Sequence, residues 1–198
     1  MQEQVAESST EAPAIRYAYK ASLIGAAHQF ELTEEGFGWR LAGRSGVWPY
    51  SDIAAIRLSY RPVSMQQHRF RADIRHKSGA RLWILSTSWQ TAALMAPQDN
   101  DYRSFIIELH RRMERVGSKA ELTAGLGRKT YVAALVLVTL VAVMMLALLI
   151  RALAVGQWVG ALFFVGFAAL FAWQVGGFIR RNRPTAYSFD HIPEALLP

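Results

Sequence analysis

The side chains able to do chemistry are few and scattered along the 198 residues. His28, His68, His76, His110 and His191 are the candidates for metal ligation or proton transfer, yet no two stand at i, i+4 and none shares a motif with a Glu or Cys, as a zinc site on a helix requires. They read as surface or barrel-end residues. The absence of Cys removes thiolate metal sites, thiol nucleophiles and disulfides. His28, Ser51 and Asp52 supply the residue types of a hydrolase triad without a nucleophile-elbow sequence around the serine. Gly36-Phe37-Gly38 and Gly125-Leu126-Gly127 lack the third glycine and the Lys-Ser/Thr ending of phosphate loops, and read as a turn and a linker. The expectation is a non-enzymatic chain with no catalytic residue, metal or cofactor.

Charge is the informative polar feature. Over residues 57–81, Arg57, Arg61, Arg69, Arg71, Arg75, Lys77 and Arg81 stand against Asp73 alone, a net +6 in 25 residues. Alternation puts Arg71, Arg75 and Lys77 on one strand face, and with Arg81 they form the candidate contact for anionic lipid headgroups or an acidic protein partner. Each basic group near an anionic surface contributes about 1 kcal/mol, screened by salt. The competing reading is a solvated strand face. An isoelectric point near 10.0 also raises nucleic acid. No such partner is expected, because Phe70, Trp39 and Tyr60 fall on apolar faces and residues 1–130 carry only +5, leaving little with which to stack bases or hold a backbone.

The elements that must position these side chains follow from periodicity. Over 16–88, runs of period-2 alternation are broken every 8–12 residues by Gly, Pro or Asp, the pattern of a β-rich domain. Phe30 and Leu32 alternate with polar residues. After the Glu34-Glu35-Gly36 turn, Phe37, Trp39 and Leu41 do the same, and a second turn over 43–46 leads to Val47-Trp48. Ile56, Leu58 and Tyr60 mark the next strand, ended by Pro62, which has no N–H for a ladder. Over 69–87 a hairpin turns at Ser78-Gly79, with Phe70, Ala72 and Ile74 on one face. Its second strand, Leu82-Trp83-Ile84-Leu85, is apolar on both faces and should be covered on both. The candidate cover is an amphipathic helix over 101–116, with Tyr102, Phe105, Ile106, Leu109, Met113 and Val116 on one face and Asp99 or Asn100 as cap.

This order of elements, strands followed by one C-terminal helix, resembles a pleckstrin-homology-like domain. The stretch Phe30-Glu31-Leu32-Thr33-Glu34-Glu35-Gly36, followed by Trp48-Pro49-Tyr50-Ser51-Asp52-Ile53-Ala54-Ala55-Ile56, is similar to the bacterial form of that group. The resemblance covers roughly residues 16–116 and implies an α+β fold, a small antiparallel barrel or sandwich closed by its helix. It also implies a binding or scaffolding module. The chain departs from many bacterial relatives in placing its apolar spans after the domain.

Hydropathy completes the layout. Hydrophobic residues make up 52% of the chain and charged residues only 19%, below the roughly 25% of an average soluble domain. The deficit lies in 131–150 and 152–179, which contain no ionisable side chain other than Tyr131. Twenty residues at about 1.5 Å each cross roughly 30 Å, a bilayer core. Residues 1–15 read as a disordered tail, 16–116 as the β domain, 117–130 as a linker, 131–150 and 158–179 as transmembrane helices, and 180–198 as a cytosolic tail. Arg128, Lys129, Arg180, Arg181 and Arg183 flank the spans, against Arg151 in the connector, which favours both ends inside. With no secretory leader before the spans, the expected location is a bacterial inner membrane with both termini cytoplasmic. Gly156, Gly160, Ala168, Ala172 and Gly176 form a near i+4 column of small residues on the second span. Such a column suits close packing in the hairpin, a homo-oligomer, or docking as an accessory subunit on a larger transport, secretion or envelope complex.

Overall fold

The computed structural model describes residues 15–61, 68–91 and 94–198. The expected N-terminal tail, apart from Ile15, and the strand-ending Pro62 lie outside those residues. The chain is mixed α+β. Strands β1 (Ile15–Tyr19), β2 (His28–Leu32), β3 (Phe37–Leu41) and β4 (Arg44–Trp48) form an antiparallel meander. A second sheet is built on β5 (Ile53–Tyr60), β6 (Phe70–His76) and β7 (Arg81–Leu85). A short ladder of β8 (Thr87–Trp89) and β9 (Met95–Pro97) then leads into helix α1 (Asp99–Arg115). Strand β10 (Glu121–Ala124) returns to pair parallel with β5. Helices α2 (Arg128–Ala154) and α3 (Trp158–Arg181) follow, and β11 (Thr185–Ala186) pairs with β10.

Alternation decides the core. Phe30, Leu32 and Phe37 from the first sheet and Ile56, Leu58, Ala72, Ile74, Leu82 and Ile84 from the second are buried against Tyr102, Phe105, Ile106, Leu109 and Met113 of α1. Burying each large aliphatic or aromatic side chain contributes about 1.5–3 kcal/mol. Helix α1 therefore covers the inner face between the sheets. The seam between them is closed by hydroxyls: Tyr17 donates to the Leu85 carbonyl at 2.6 Å and Tyr19 to the Trp83 carbonyl at 2.7 Å, which satisfies acceptors on the open edge of β7.

Several local expectations change. The β3–β4 turn is tighter than 43–46, since Ala42 and Gly43 have φ of +41° and +81° and Arg44 is already in β4, the two-residue geometry that matches strand twist. Among the described residues no second element covers the outer face of β7. Trp83 is 43% exposed there, with the Arg71 guanidinium 5.5 Å from its ring centroid, a cation–π contact in place of a packed layer. Gln98, not Asp99 or Asn100, is the N-cap of α1, without a side-chain cap bond. Asp99 and Asp101 lie in the first turn instead, where carboxylates favour the helix dipole. Val116 is exposed beyond the helix end.

The largest departure is at the C-terminus. Residues 117–130, expected as a linker, contain β10 and the start of α2, and residues 180–198, expected as a tail, complete the β body. Leu196 and Leu197 are buried and Tyr187, Phe189 and Ile192 pack on the core. His110, expected near the surface, is 1% exposed, enclosed by this returning segment. Its Nδ1–H donates to the Ile106 carbonyl at 2.7 Å, and the Tyr187 hydroxyl donates to Nε2 at 2.8 Å. Both ends of the α2–α3 hairpin are thus fastened to one side of one β body.

Candidate functional site

The four basic candidates do not form one free surface. Arg71 pairs with Asp73 on its own strand face and lies over Trp83. Arg75 reaches Glu121 of β10 at 3.6 Å, an acid that the window over 57–81 does not contain. Lys77 falls beyond β6, in the turn, and pairs with Asp52 at 3.2 Å; it does not share the strand face of Arg71 and Arg75. Arg81 is exposed and stands directly opposite Arg75 in the ladder, with no acidic partner among the described residues. Solvent-exposed pairs of this kind contribute little, about 0–1 kcal/mol, but they cancel most of the local positive field.

Strand direction then separates these residues. The end of β5 is tied to the hairpin: the Gly125 N–H donates to the Leu58 carbonyl at 2.7 Å and the Tyr60 N–H to Asn182 Oδ1 at 3.1 Å. Phe70 pairs with Tyr60 at this end and His76 with Ile53 at the other, about 20 Å away at ~3.3 Å per residue. Arg75, Lys77 and Arg81 lie toward that far end. Arg57, Arg61, Arg69 and Arg71 lie toward the hairpin.

A basic collar surrounds the root of the hairpin. The Leu126 N–H donates to the Asn182 carbonyl at 3.0 Å, so Arg128 and Lys129 opening α2 and Arg180, Arg181 and Arg183 around the end of α3 fall within one helical turn of that bond. All five are exposed. Arg181 lies over the Tyr60 ring at 5.2 Å. The Arg57 guanidinium comes so close to Gly127 that a Cβ there would stand 3.2 Å from Nη1. Partial burial first, and then the nearby Arg61 and Arg71, push the Arg69 guanidinium below its ordinary pKa. No carboxylate pairs with Arg128, Lys129, Arg180, Arg181 or Arg183 among the described residues.

Two residues make this junction possible. Asn182 is fully buried; besides accepting from Tyr60 it donates through Nδ2 to the Phe178 carbonyl at 3.2 Å. Gly125 has φ of +82°, and a Cβ there would meet the carbonyl oxygens of Asn182 and Arg183 at 2.5 Å. Only glycine fits. Neither role has a sequence signal, because Gly125 depends on a segment about 57 residues further along and Asn182 on Tyr60, 122 residues back.

Helices α2 and α3 are long and apolar enough to cross a membrane, with mean hydropathies of 3.0 and 1.9 over their most apolar windows. The column of small residues is only partly a packing face. Gly156 lies outside α3, where its φ of +71° ends α2. Gly160 meets little beyond Gln157, and nothing stands within 4 Å of a Cβ placed on Gly176. Ala168, Ala172 and Gly176 open onto a groove of about 460 Å³ between the helices, lined also by Met145, Phe164, Phe171 and Ile179. Among the described residues no group of three or more His, Asp or Glu side chains is placed to hold a metal. No family model matches the chain, and neither does any curated protein or solved structure.

Proposed function

We propose that the chain is a non-enzymatic, membrane-anchored binding or scaffold protein of the bacterial inner membrane, with a pleckstrin-homology-like β body held on the cytoplasmic leaflet. In this reading both termini are cytoplasmic and the body contacts anionic headgroups through the root collar, with Arg71 at its edge. The observation that carries it is the collar, whose exposed cations lack acidic partners among the described residues, whereas Arg71, Arg75 and Lys77 are paired with acids. Basic residues just outside a span gain about 1 kcal/mol each from an anionic leaflet. Arg81 and the far end of β6–β7 remain the surface for an acidic protein partner.

Hydrogen exchange of the full chain in nanodiscs of phosphatidylcholine alone or with phosphatidylglycerol tests the reading. Slower exchange at the ends of β5 and α3 with the anionic lipid, fading between about 50 and 500 mM salt, is the expected result. Identical exchange in both lipids would sink it. A second reading, an accessory subunit docked through α3, draws on the open faces at Gly160 and Ala172. A high-mass complex in mild detergent that dissociates on Gly160→Leu or Ala172→Leu would favour it.

A further inference from the structure

We infer that the groove between α2 and α3 is a binding site for one anionic phospholipid, with an acyl chain between the helices and the headgroup phosphate in the root collar. The inference deepens the leaflet reading and rests on the hairpin spanning a membrane. Its lining runs along α3 from Phe164 to Ile179, about 22 Å at ~1.5 Å per residue. That length exceeds the roughly 15 Å of hydrocarbon in one leaflet. The groove ends at Ile179, one residue from the exposed Arg180 and beside the bond that brings Arg128 and Lys129 to Arg181.

Its width selects the occupant. A volume of about 460 Å³ spread over that length leaves a mean cross-section on the order of 20 Å², against roughly 80 Å² for a helix 10 Å across. One extended hydrocarbon chain fits such a channel; a neighbouring helix could only rest over it. The walls are apolar throughout: Val138, Met145, Leu146 and Leu149 of α2 and Phe164, Phe171 and Val175 of α3 line it, with Ala168, Ala172 and Gly176 leaving the floor open. Charge complementarity sets the headgroup. At its root end the α3 lining stops at Ile179, next to the exposed Arg180, which has no acidic partner among the described residues, so a net-negative phosphodiester is favoured over a zwitterion.

Native mass spectrometry of the full chain, released from neutral detergent after addition of phosphatidylglycerol or phosphatidylcholine, reads the site directly. One phosphatidylglycerol should be retained by roughly fivefold or more over phosphatidylcholine, the scale set by a single basic group near an anionic surface. Ala172→Leu, or Gly176→Leu where the added side chain meets open space, should abolish retention of that lipid. Gly166→Leu, outside the groove, should leave it intact. Lys129→Gln with Arg180→Gln should remove the headgroup preference and spare the weaker retention of either lipid. Equal retention of both lipids by the unsubstituted chain, or unchanged retention in both groove-filling variants, overturns the inference. A protein dimer that disappears on filling the groove also overturns it and assigns the groove to a second copy. If the groove fails while anionic lipid still slows exchange at the root, the leaflet reading survives alone; if neither response is seen, both fall.

Discussion

At the scale of single residues, two side chains sit in conformations or environments that work against them. Ala42 adopts φ of +41° in the β3–β4 turn, a left-handed geometry that costs an L-residue roughly 1–2 kcal/mol. Replacing it with glycine should raise thermal stability by about 0.5–1 kcal/mol, since the relief of strain is partly offset by the added freedom of the unfolded chain. A melting temperature unchanged or lowered in Ala42→Gly would contradict this. His110 is the second case. Burial lowers its pKa to about 4 despite the bond to the Ile106 carbonyl, which favours the protonated ring. The unfolded chain, with a histidine pKa near 6.5, therefore binds more protons than the folded one between about pH 4 and 6.5. Stability should fall as the pH drops through that window, by roughly 3 kcal/mol in total. Glu114 acts in the opposite sense: the hydrogen bond it shares with Asp190 across the same contact raises its pKa, so protonation there favours the folded state. Comparing the melting temperature at pH 7 and 4.5 in the parent chain and in His110→Phe separates the two. The variant should lose most of the acid sensitivity; an equal fall in both would remove His110 as its source.

At the scale of elements, the C-terminal return governs the stability of the domain that precedes it. Leu196 is buried on the core, the Arg103 guanidinium donates to the Pro198 carbonyl at 3.0 Å, and the Tyr187 N–H donates to the Leu122 carbonyl at 3.2 Å. Leu196→Ala should cost about 2–4 kcal/mol by leaving a cavity under the β body, seen as a lower melting temperature of strands far from it in sequence. Asn182→Ala removes the acceptor of the buried Tyr60 N–H, at a cost of about 1–3 kcal/mol. It should speed hydrogen exchange at Tyr60 while the β2–β3 hairpin stays protected; an unchanged Tyr60 amide would refute the latch. These contacts also mark where legibility ended. Phe30, Leu32, Phe37, Ile56, Leu58, Ala72 and Ile74, with five of the six apolar positions expected on the helix over 101–116, were readable from period alone, because a half-buried strand or helix writes its burial into its own sequence. The strand Glu121–Ala124 and the partners of Tyr187 were not, since Glu-Leu-Thr-Ala is too short to show a period and its pairing with β5 is a long-range fact. The basic window was readable as composition, but Glu121 and Asp52, which pair with Arg75 and Lys77, come from other elements. The collar joins residues near 57–71, 128 and 181 that only the folded chain brings together.

At the scale of the whole molecule, the β body constrains how the hairpin can lie in a bilayer. It hydrogen-bonds the start of α2 through Gly125 and Leu126 and the end of α3 through Asn182, so under the proposed membrane-spanning reading both helix ends would leave the bilayer on the side the body occupies. The connector, with Arg151 at the end of α2 and Gly156 at the turn, would then lie on the opposite side. The two apolar helices, 27 and 24 residues long, are about 40 and 36 Å at ~1.5 Å per residue, longer than the roughly 30 Å of hydrocarbon. In a bilayer that excess would bring the basic first turn of α2 and last turn of α3 into the headgroup region, where Arg and Lys extend toward water. Because the chain has no Cys, single introduced thiols report side without background. Ser45→Cys on the β body and Ser188→Cys in the returning segment should react with a membrane-impermeant maleimide from the same face of sealed vesicles, and Gln157→Cys only from the other. Labelling of Ser45→Cys and Ser188→Cys from opposite faces would mean that the C-terminal segment is not part of the β body in the membrane, and the root collar would lose Arg180, Arg181 and Arg183.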